Sequence, residues 1–358
     1  MKYEYWFAAL RGLSCKKKVF LRSKVVSAAE LYYIEETTLK KWGVEEKDRR
    51  TILESVKGWN PETEYDRLRE KHINFYTILS SEYPAKLKEI PSPPYALYVR
   101  GRLPEEQRKT IAIVGARQCS PYGREMAVDF AKRLAEAGVQ IVSGMARGID
   151  GAGQRGALMA GGRSFGVLGC GVDICYPREN IELYTELQKA GGILSELPPG
   201  VQPLPQFFPA RNRIISGLSD AVLVIEAKEK SGSLITADMA LEQGKDVYAL
   251  PGPVNSRLSR GCHELIRQGA EILLSPEDLL EDWGILEKGQ TEKIGENKIA
   301  LESTEKLVYS LLDFQPRSLG SLLERSNLSV SSLTSALISL ELKGIIREIS
   351  KNFYVKVR

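Results

Sequence analysis

The sequence predicts an α/β protein with a doubly wound, mostly parallel sheet of extended Rossmann-like type, flanked by a small helical N-terminal domain and a C-terminal winged helix. Two observations predict the sheet: between residues 66 and 284, short apolar runs alternate with amphipathic stretches, and most of the runs end in a glycine-bearing turn. Apolar strands joined by helices are typical of a parallel sheet covered on both faces. A third observation, a polar stretch followed by renewed helical periodicity, predicts a separate C-terminal unit.

The first 65 residues predict a helical module of the SAM or helix-hairpin-helix kind. Apolar residues recur at helical spacing as far as Trp42, and the Gly-Trp-Asn-Pro stretch at 58–61 marks a boundary. A helix-hairpin-helix motif needs a Gly-x-Gly hairpin to receive a phosphate, and the stretch at 11–14 offers only Gly12. We therefore expect an accessory module in which a DNA-binding hairpin is weakly supported.

The central region, residues 66–284, predicts the Rossmann-like domain. Its strands are predicted at 110–114, 140–143, 164–168, 193–195, 221–225 and 246–250. Amphipathic stretches that predict helices lie between them at 122–137, 180–189 and 234–243.

The C-terminal region predicts a linker at 285–300 and a winged helix-turn-helix at 301–358. The linker is polar, and three helical stretches followed by an alternating hairpin pattern occupy the last 58 or so residues. The third helix, at 329–342, contains no lysine or arginine. A helix that reads the major groove uses such side chains to contact phosphates and base edges. This unit is therefore predicted to be a protein-interaction module first and a DNA-binding module second.

Composition narrows the possible functions. The chain has 43% hydrophobic and 27% charged residues and a net charge of +4, which is ordinary for a globular protein and requires any anionic partner to meet a local cluster. Its 5 cysteines show no Cys-x-x-Cys spacing and it has 2 histidines, so we predict neither a metal site nor another cofactor. No apolar run is long enough for a membrane span and no signal peptide is evident, which predicts a cytoplasmic protein without a membrane partner.

The strongest functional signal is the set of glycine-bearing turns that follow the predicted strands. In a doubly wound sheet these turns share the carboxyl edge, where ligands bind, and their backbone amides can approach an anion closely. Tight turns alone would explain one such loop, but four loops, two with an arginine, favour a polyanion site. Ser120 and Ser233 are predicted to lie at helix caps or first turns. The candidate residues in these turns are Gly115, Arg117, Ser143, Gly144, Arg147, Gly169, Gly171, Lys230, Ser231, Gly232 and Ser233.

A second signal joins aromatic residues to arginines within one short stretch. Phe207 and Phe208 precede Arg211, Asn212 and Arg213, and a proline-rich segment at 198–205 leads into them. Arginine pairs with phosphate or stacks on a base, and phenylalanine offers a stacking face that tolerates any base. One of the two phenylalanines, and Arg213, could instead serve the core or a helix cap.

These motifs together resemble those of the DprA/Smf family. The resemblance spans residues 75–275 and rests on Ser-Gly-Met-Ala-Arg-Gly-Ile-Asp at 143–150, Gly-Cys-Gly-Val-Asp at 169–173 with Tyr-Pro at 176–177, the stretch at 208–217, Ser-Gly-Ser-Leu-Ile-Thr-Ala at 231–237 and Pro-Gly at 251–252. It implies a bacterial protein that binds single-stranded DNA, protects incoming DNA in natural transformation, and loads a RecA-type recombinase. It also implies a homodimer formed through the Rossmann domain.

The resemblance carries DNA-contacting roles to particular positions. Arg117 in the Gly-Ala-Arg turn matches one such position, and the stretch from Phe208 to Arg213 matches the others. Arg147 and Lys230 are added from their charge and their place in the turns.

Two alternatives are an enzyme of the nucleotide phosphoribohydrolase class and a nucleotide sensor. Sequences of that enzyme class show a Pro-Gly-Gly-x-Gly-Thr-x-x-Glu pattern, in which the glutamate does the acid–base work. In this chain Met239 occupies the place of the glutamate, and methionine cannot transfer a proton. No Walker or Gly-x-Ser-x-Gly motif occurs either. The sequence therefore predicts a binding protein without catalytic residues, and a mononucleotide sensor stays open as a second reading of the same loops.

Overall fold

The computed structural model describes residues 1–287, 301–313 and 316–356. The chain divides after Glu287 into two compact units. Residues 288–300 of the predicted linker lie outside the described residues. Within the described part of the chain, we find no helix with the length and apolar character that crossing a bilayer would require.

The first unit is built on a nine-stranded sheet, which confirms the predicted fold class. Its strands are β1 Asn74–Thr77, β2 Ala96–Gly101, β3 Thr110–Val114, β4 Gln140–Ser143, β5 Ser164–Val167, β6 Gly192–Ser195, β7 Ala221–Val224, β8 Asp246–Ala249 and β9 Glu271–Ile272. Their order in the sheet is β1-β2-β6-β5-β4-β3-β7-β8-β9. All neighbours from β6 to β9 are parallel, whereas β1 and β2 add an antiparallel edge. The six predicted strands are the parallel ones up to β8, and β1, β2 and β9 were not predicted.

The helices of the first unit are α1 Lys2–Ala9, α2 Cys15–Ser23, α3 Ala28–Tyr32, α4 Glu36–Lys41, α5 Glu46–Val56, α6 Pro61–Glu70, α7 Ala85–Lys88, α8 Pro121–Glu136, α9 Ile149–Met159, α10 Ile181–Ala190, α11 Phe207–Leu218, α12 Gly232–Glu242, α13 Arg260–Arg267 and α14 Pro276–Asp282. The predicted helices correspond to α8, α10 and α12, with ends shifted by one or two residues. The sequence did not predict α9, because its three glycines lower helix propensity and it is buried nearly all round. Those glycines allow close packing: a Cβ on Gly156 would lie 2.4 Å from the Val128 carbonyl oxygen of α8.

Alternate residues of the parallel strands supply two cores, one on each face of the sheet. On one face, Ala112 and Val114 of β3 pack with residues of α7, α11, α12 and α13. On the other face, Ile111 and Ile113 pack with residues of α8, α9 and α14. The alternation arises because successive side chains of a strand point to opposite faces of the sheet. The six N-terminal helices share a third core with β1, β2 and the start of β6.

The second unit has the three helices and small sheet of a winged helix. Its elements are α15 Ser303–Leu311, β10 Arg317–Ser318, α16 Leu319–Ser326, α17 Val330–Leu342, β11 Ile346–Ser350 and β12 Phe353–Lys356. The strands form an antiparallel sheet in the order β10-β12-β11, so the predicted hairpin gains a short third strand. The core contains Val308, Leu322, Leu333, Leu337 and Leu340.

Candidate nucleic-acid interface

A groove with a volume of about 660 Å³ lies at the carboxyl edge of the parallel strands. Its walls are the loops after β3, β4 and β7, the start of α11 and the first turn of α12. Most of the predicted site residues line this carboxyl-edge groove, namely Gly115, Arg117, Arg147, Phe208, Arg211, Asn212, Lys230, Ser231, Gly232 and Ser233. Loops that are far apart in the sequence converge here because parallel strands end at one edge.

Phe208 lines the groove and is half-buried. Its ring centroid is 5.4 Å from that of Tyr176, and the two rings are inclined by 35°. The guanidinium carbon of Arg117 lies 5.8 Å from the Phe208 centroid, and that of Arg211 lies 6.0 Å away. These distances are within the range of a cation–π contact. A Cβ on Gly169 would lie 3.0 Å from the Phe208 ring, so this glycine makes room for the aromatic side chain.

Arg211 is a buried structural side chain with only 6% of its surface exposed. Its Nη1 donates to the carbonyl oxygen of Gly144 at 2.8 Å and also to that of Val167, which ties the ends of β4 and β5 together. Asp150 lies beside it and accepts a hydrogen bond from the Gly144 amide at 3.1 Å. Burial lowers the pKa of Arg211 to about 10, and the negative charge of Asp150 opposes that shift. Burial likewise raises the pKa of Asp150, and the Arg211 charge opposes it.

The loop after β4 is held by hydrogen bonds in an uncommon backbone conformation. Ser143 is buried and its hydroxyl donates to the carbonyl oxygen of Ile113 at 2.6 Å. Met145, also buried, has φ 53°, a left-handed conformation that costs energy for a residue with a side chain. Asn180 holds it by donating its amide to the Met145 carbonyl oxygen at 3.0 Å. Ser143 and Gly144 therefore shape the groove from beneath and do not line it.

Two further predicted site residues lie away from the groove. A Cβ on Gly171 would lie 2.8 Å from the carbonyl oxygen of Pro198, so this glycine allows the proline-rich segment to pack closely. Arg213 forms two hydrogen bonds to the Glu196 carboxylate, at 2.7 and 2.6 Å, and donates its Nε to the carbonyl oxygen of Ser92 at 2.7 Å. Its charge is thus neutralised within the fold.

The helix N-termini at this edge differ in whether they can receive an anion. Ser120 is the N-cap of α8, accepting from the Gly123 amide at 3.0 Å, but its own amide and hydroxyl donate to the buried Glu226 carboxylate at 2.8 and 2.6 Å. The chain's own anion therefore occupies that terminus. At α12 the cap is Ser231, and Ser233 instead donates its amide to the Ser231 hydroxyl at 3.4 Å. The α12 terminus lines the groove, where Asp150 is the one carboxylate among the described lining residues.

Five cationic side chains line the groove, and they fall into three groups: Arg117, Arg147, Arg211, Lys228 and Lys230. Arg211 is buried beneath the surface. Arg147 donates its Nε to Glu179 at 2.9 Å and its Nη2 to the same carboxylate, in an ion pair that leaves both side chains more than half exposed. This hydrogen bonding raises the pKa of Arg147 and lowers that of Glu179.

The remaining three cations, Arg117, Lys228 and Lys230, are exposed and have no ion pair or side-chain hydrogen bond within the described residues. The groove therefore offers unneutralised positive charge beside an aromatic ring. Sequence reasoning missed Lys228 and Tyr176. The Lys-Glu-Lys run at 228–230 and the aromatic residue that follows the Gly-Cys-Gly turn were the available signals.

The described residues contain no group of His, Cys, Asp and Glu side chains arranged to hold a metal ion. The chemistry available in the groove is thus that of guanidinium and ammonium groups, the backbone amides of α12 and an aromatic surface. Such a site can bind phosphates and stack bases.

Known proteins are similar to this chain in sequence and in fold. Residues 74–284 match the family model described as DNA recombination-mediator protein A, and residues 295–350 match the DprA winged helix domain. Protein Smf of Synechocystis sp. is 35% identical over 324 residues, which are 81% of each chain. DNA processing protein DprA of Bacillus subtilis is 45% identical over 216 residues, 60% of this chain and 72% of that protein.

Two solved structures are similar. DNA processing protein A of Streptococcus pneumoniae is 33% identical with a TM-score of 0.69, and the match covers 79% of this chain and 98% of that one. DNA processing protein A of Helicobacter pylori is 31% identical with a TM-score of 0.53, over 59% of this chain and 96% of that one. The H. pylori structure is described as showing a single-stranded DNA binding mode.

Proposed function

Because this chain belongs to the DNA recombination-mediator protein A family, known as DprA or Smf, we propose that its carboxyl-edge groove binds single-stranded DNA. The observation that carries the proposal is that the groove is lined by three cations without partners among the described residues and by the half-buried ring of Phe208. Nucleic-acid backbones are bound by such charges, and single strands add stacking of their bases on aromatic side chains. A duplex hides its base faces, so the groove should prefer single strands.

Each groove residue has a role that follows from its exposure. Arg117, Lys228 and Lys230 bind phosphates, the amides at the start of α12 add a further phosphate contact, and a base stacks on Phe208. Arg211 holds the floor of the groove and adds its charge from beneath. Ser143, Gly144, Gly169 and Gly171 shape the supporting loops, and Arg213 serves the fold.

The enzyme alternative is not favoured by the geometry of the groove. The carboxylate among its described lining residues is Asp150, which is buried and held by the Gly144 amide and Arg211. An acid–base residue has to reach the substrate directly or through one water. A mononucleotide ligand is kept as an outcome of the binding experiment.

Membership of the family supports the wider role. We propose that the protein acts in the cytoplasm as a homodimer formed through the Rossmann domain. There it protects incoming single-stranded DNA in natural transformation and loads a RecA-type recombinase onto it. A dimer would hold two segments of one strand and gain avidity.

The test is fluorescence anisotropy with labelled single-stranded and duplex oligonucleotides over a salt series. The variant is Lys228→Glu combined with Lys230→Glu, since both side chains are exposed and their replacement leaves the fold intact. We expect single-strand affinity to fall by at least about tenfold at low salt, because two phosphate contacts become repulsive. The matched control is Lys189→Glu, in the last turn of α10 at the opposite edge of the sheet.

Equal binding by the double variant and wild type would show that the groove is not the binding site. Failure of the wild type to bind a single strand at low salt, together with saturable binding of a mononucleotide, would favour the nucleotide sensor. An Arg211 variant would be a poor choice here, because the loss of a buried structural side chain confounds binding with folding.

A further inference from the structure

Tyr176 is a groove residue to which neither the sequence motifs nor the phosphate contacts assign a role. It lines the groove with 42% of its surface exposed, and its ring centroid lies 5.4 Å from that of Phe208. We propose that Tyr176 is a second base-stacking residue, which forms with Phe208 a two-ring platform for two successive bases of a bound single strand. The inference rests on the proposed function. It adds the number of bases that stack in the groove and the side chains on which they stack.

The exposure of Tyr176 separates it from the structural aromatic residues of this chain. Tyr5, Trp6 and Tyr98 are buried in the core beneath the N-terminal helices, where Tyr5 contacts Tyr98 and Trp6 contacts other aromatic rings. The Tyr176 hydroxyl has no hydrogen-bond partner in the described parts of the chain, and its ring packs on Phe208 alone among the described aromatic pairs. A ring left open to solvent at the mouth of a groove is available to a ligand.

The arrangement of the two rings decides how bases can bind. A base inserted between two rings needs a gap of about 7 Å, which is twice the contact distance between carbon atoms. The observed 5.4 Å between centroids is too short for insertion, so each ring offers its outer surface. The two uncovered ring faces therefore offer one stacking surface to each of two bases.

Cations line the same groove as the two rings. The guanidinium carbon of Arg117 lies 5.8 Å from the Phe208 centroid, and Arg147 lines the groove together with Tyr176. The phosphates of a strand stacked on the platform would therefore pass through a positively charged groove. The groove thus combines aromatic rings for the bases with positive charge for the backbone, which is the combination that binds single strands.

The segment that carries Tyr176 is anchored at both ends. Before it, the Val172 carbonyl oxygen accepts from the Tyr184 hydroxyl at 2.6 Å. After it, Asn180 donates its amide to the Met145 carbonyl oxygen. The backbone segment that carries the ring is thus fixed before a ligand arrives, which limits the entropy lost on binding.

The experiment compares Tyr176→Leu and Tyr176→Phe with wild type on two labelled single strands of equal length, one with bases and one abasic. Leucine keeps an apolar side chain without a π-face, and phenylalanine keeps the face without the hydroxyl. We expect Tyr176→Leu to lose about five- to tenfold or more in affinity for the base-bearing strand and to match wild type on the abasic strand. Tyr176→Phe should bind both strands as wild type does.

The matched control is Tyr122→Leu. Tyr122 is 44% exposed, begins α8 at the same edge and does not line the groove, so its replacement should leave both affinities unchanged. Thermal melting of each variant checks the fold. A strand with 2-aminopurine at successive positions adds a readout on wild type alone, since stacking on the platform should quench two adjacent positions.

The possible outcomes separate the inference from the function on which it rests. No binding of either strand by wild type would overturn the proposed function itself. Binding by wild type with equal affinities for Tyr176→Leu, or an equal loss on both strands, would leave the function standing and overturn the stacking role. Quenching confined to one position would likewise limit the platform to Phe208.

Discussion

The carboxyl-edge groove and helix α17 are the two places where each unit of this chain would be expected to meet a nucleic acid. The groove has three exposed cations without partners in the described chain, beside an aromatic ring. Helix α17, at the position of the recognition helix in a winged helix, has no lysine or arginine and exposes Val330, Ile338 and Leu342, the last of them 85% exposed. A fold type therefore does not by itself decide what a domain binds, because binding depends on the side chains that the fold presents.

The two units also differ in whether their charged side chains are paired within the fold or left exposed. Near α17, Lys343 donates to both carboxylate oxygens of the buried Glu305, at 2.7 and 2.6 Å, and Ser339 adds a further hydrogen bond. These hydrogen bonds lower the pKa of Glu305 to about 2. The second unit thus uses its charge to join α15 to the end of α17. Among the described groove residues, Arg211 is used in that way, Arg147 is paired with Glu179 at the surface, and the other three cations are left for a ligand.

The largest effect should come from removing the one groove cation that the fold uses. Arg211→Met leaves Asp150 buried without its opposing charge and frees the carbonyl oxygens of Gly144 and Val167. We expect the free energy of unfolding to fall by about 3–5 kcal/mol, as when one partner of a buried pair is lost. Urea denaturation measures it, with Lys230→Met as the exposed control. A loss equal to that of the control would mean that Arg211 is not structural.

The sequence predicted the sheet better than it predicted which charges are free. The apolar runs of β3, β7 and their neighbours were visible because burial on both faces demands them. Helix α9 could not be recognised in the sequence because it contains three glycines. The reason for these glycines is visible only in the structure, where Gly156 lets α9 approach α8 closely. Charge can be counted in a sequence but burial cannot. Arg211 and Arg213 were therefore predicted to contact DNA, whereas Arg211 is buried in the floor of the groove and Arg213 pairs with Glu196.

The next effect in size concerns an exposed cation of the groove. Arg117→Ala removes an exposed cation and its contact with Phe208, so single-strand affinity should fall by about five- to tenfold at low salt. The slope of log affinity against log salt should become shallower by roughly 0.7, the value for one phosphate contact on a single strand. Anisotropy over a salt series gives both quantities. An unchanged slope would mean that Arg117 does not contact a phosphate.

A smaller effect should come from the groove cation that is paired in the free protein. Glu179→Gln removes the partner of Arg147 and makes a fourth exposed cation available. Exposed ion pairs contribute little, so Arg147 can already exchange its partner for a phosphate, and the gain in affinity should be only about two- to threefold. The same salt series measures it. Weaker binding by this variant would show instead that the pair positions Arg147 for the strand.

The smallest effect is expected on α17, where a charge change tests whether this helix contacts DNA at all. Ser331→Glu and Ser335→Glu place negative charge on the exposed side of the helix, where a major-groove reader would face phosphates. If the groove carries the DNA contacts, affinity for single strands and duplexes should stay within about twofold of wild type, and stability within about 0.5 kcal/mol. A selective loss of duplex binding would instead give α17 a DNA contact made by backbone amides and hydroxyls. The absence of basic residues on α17 would then not prevent DNA binding, because those groups also bind phosphates.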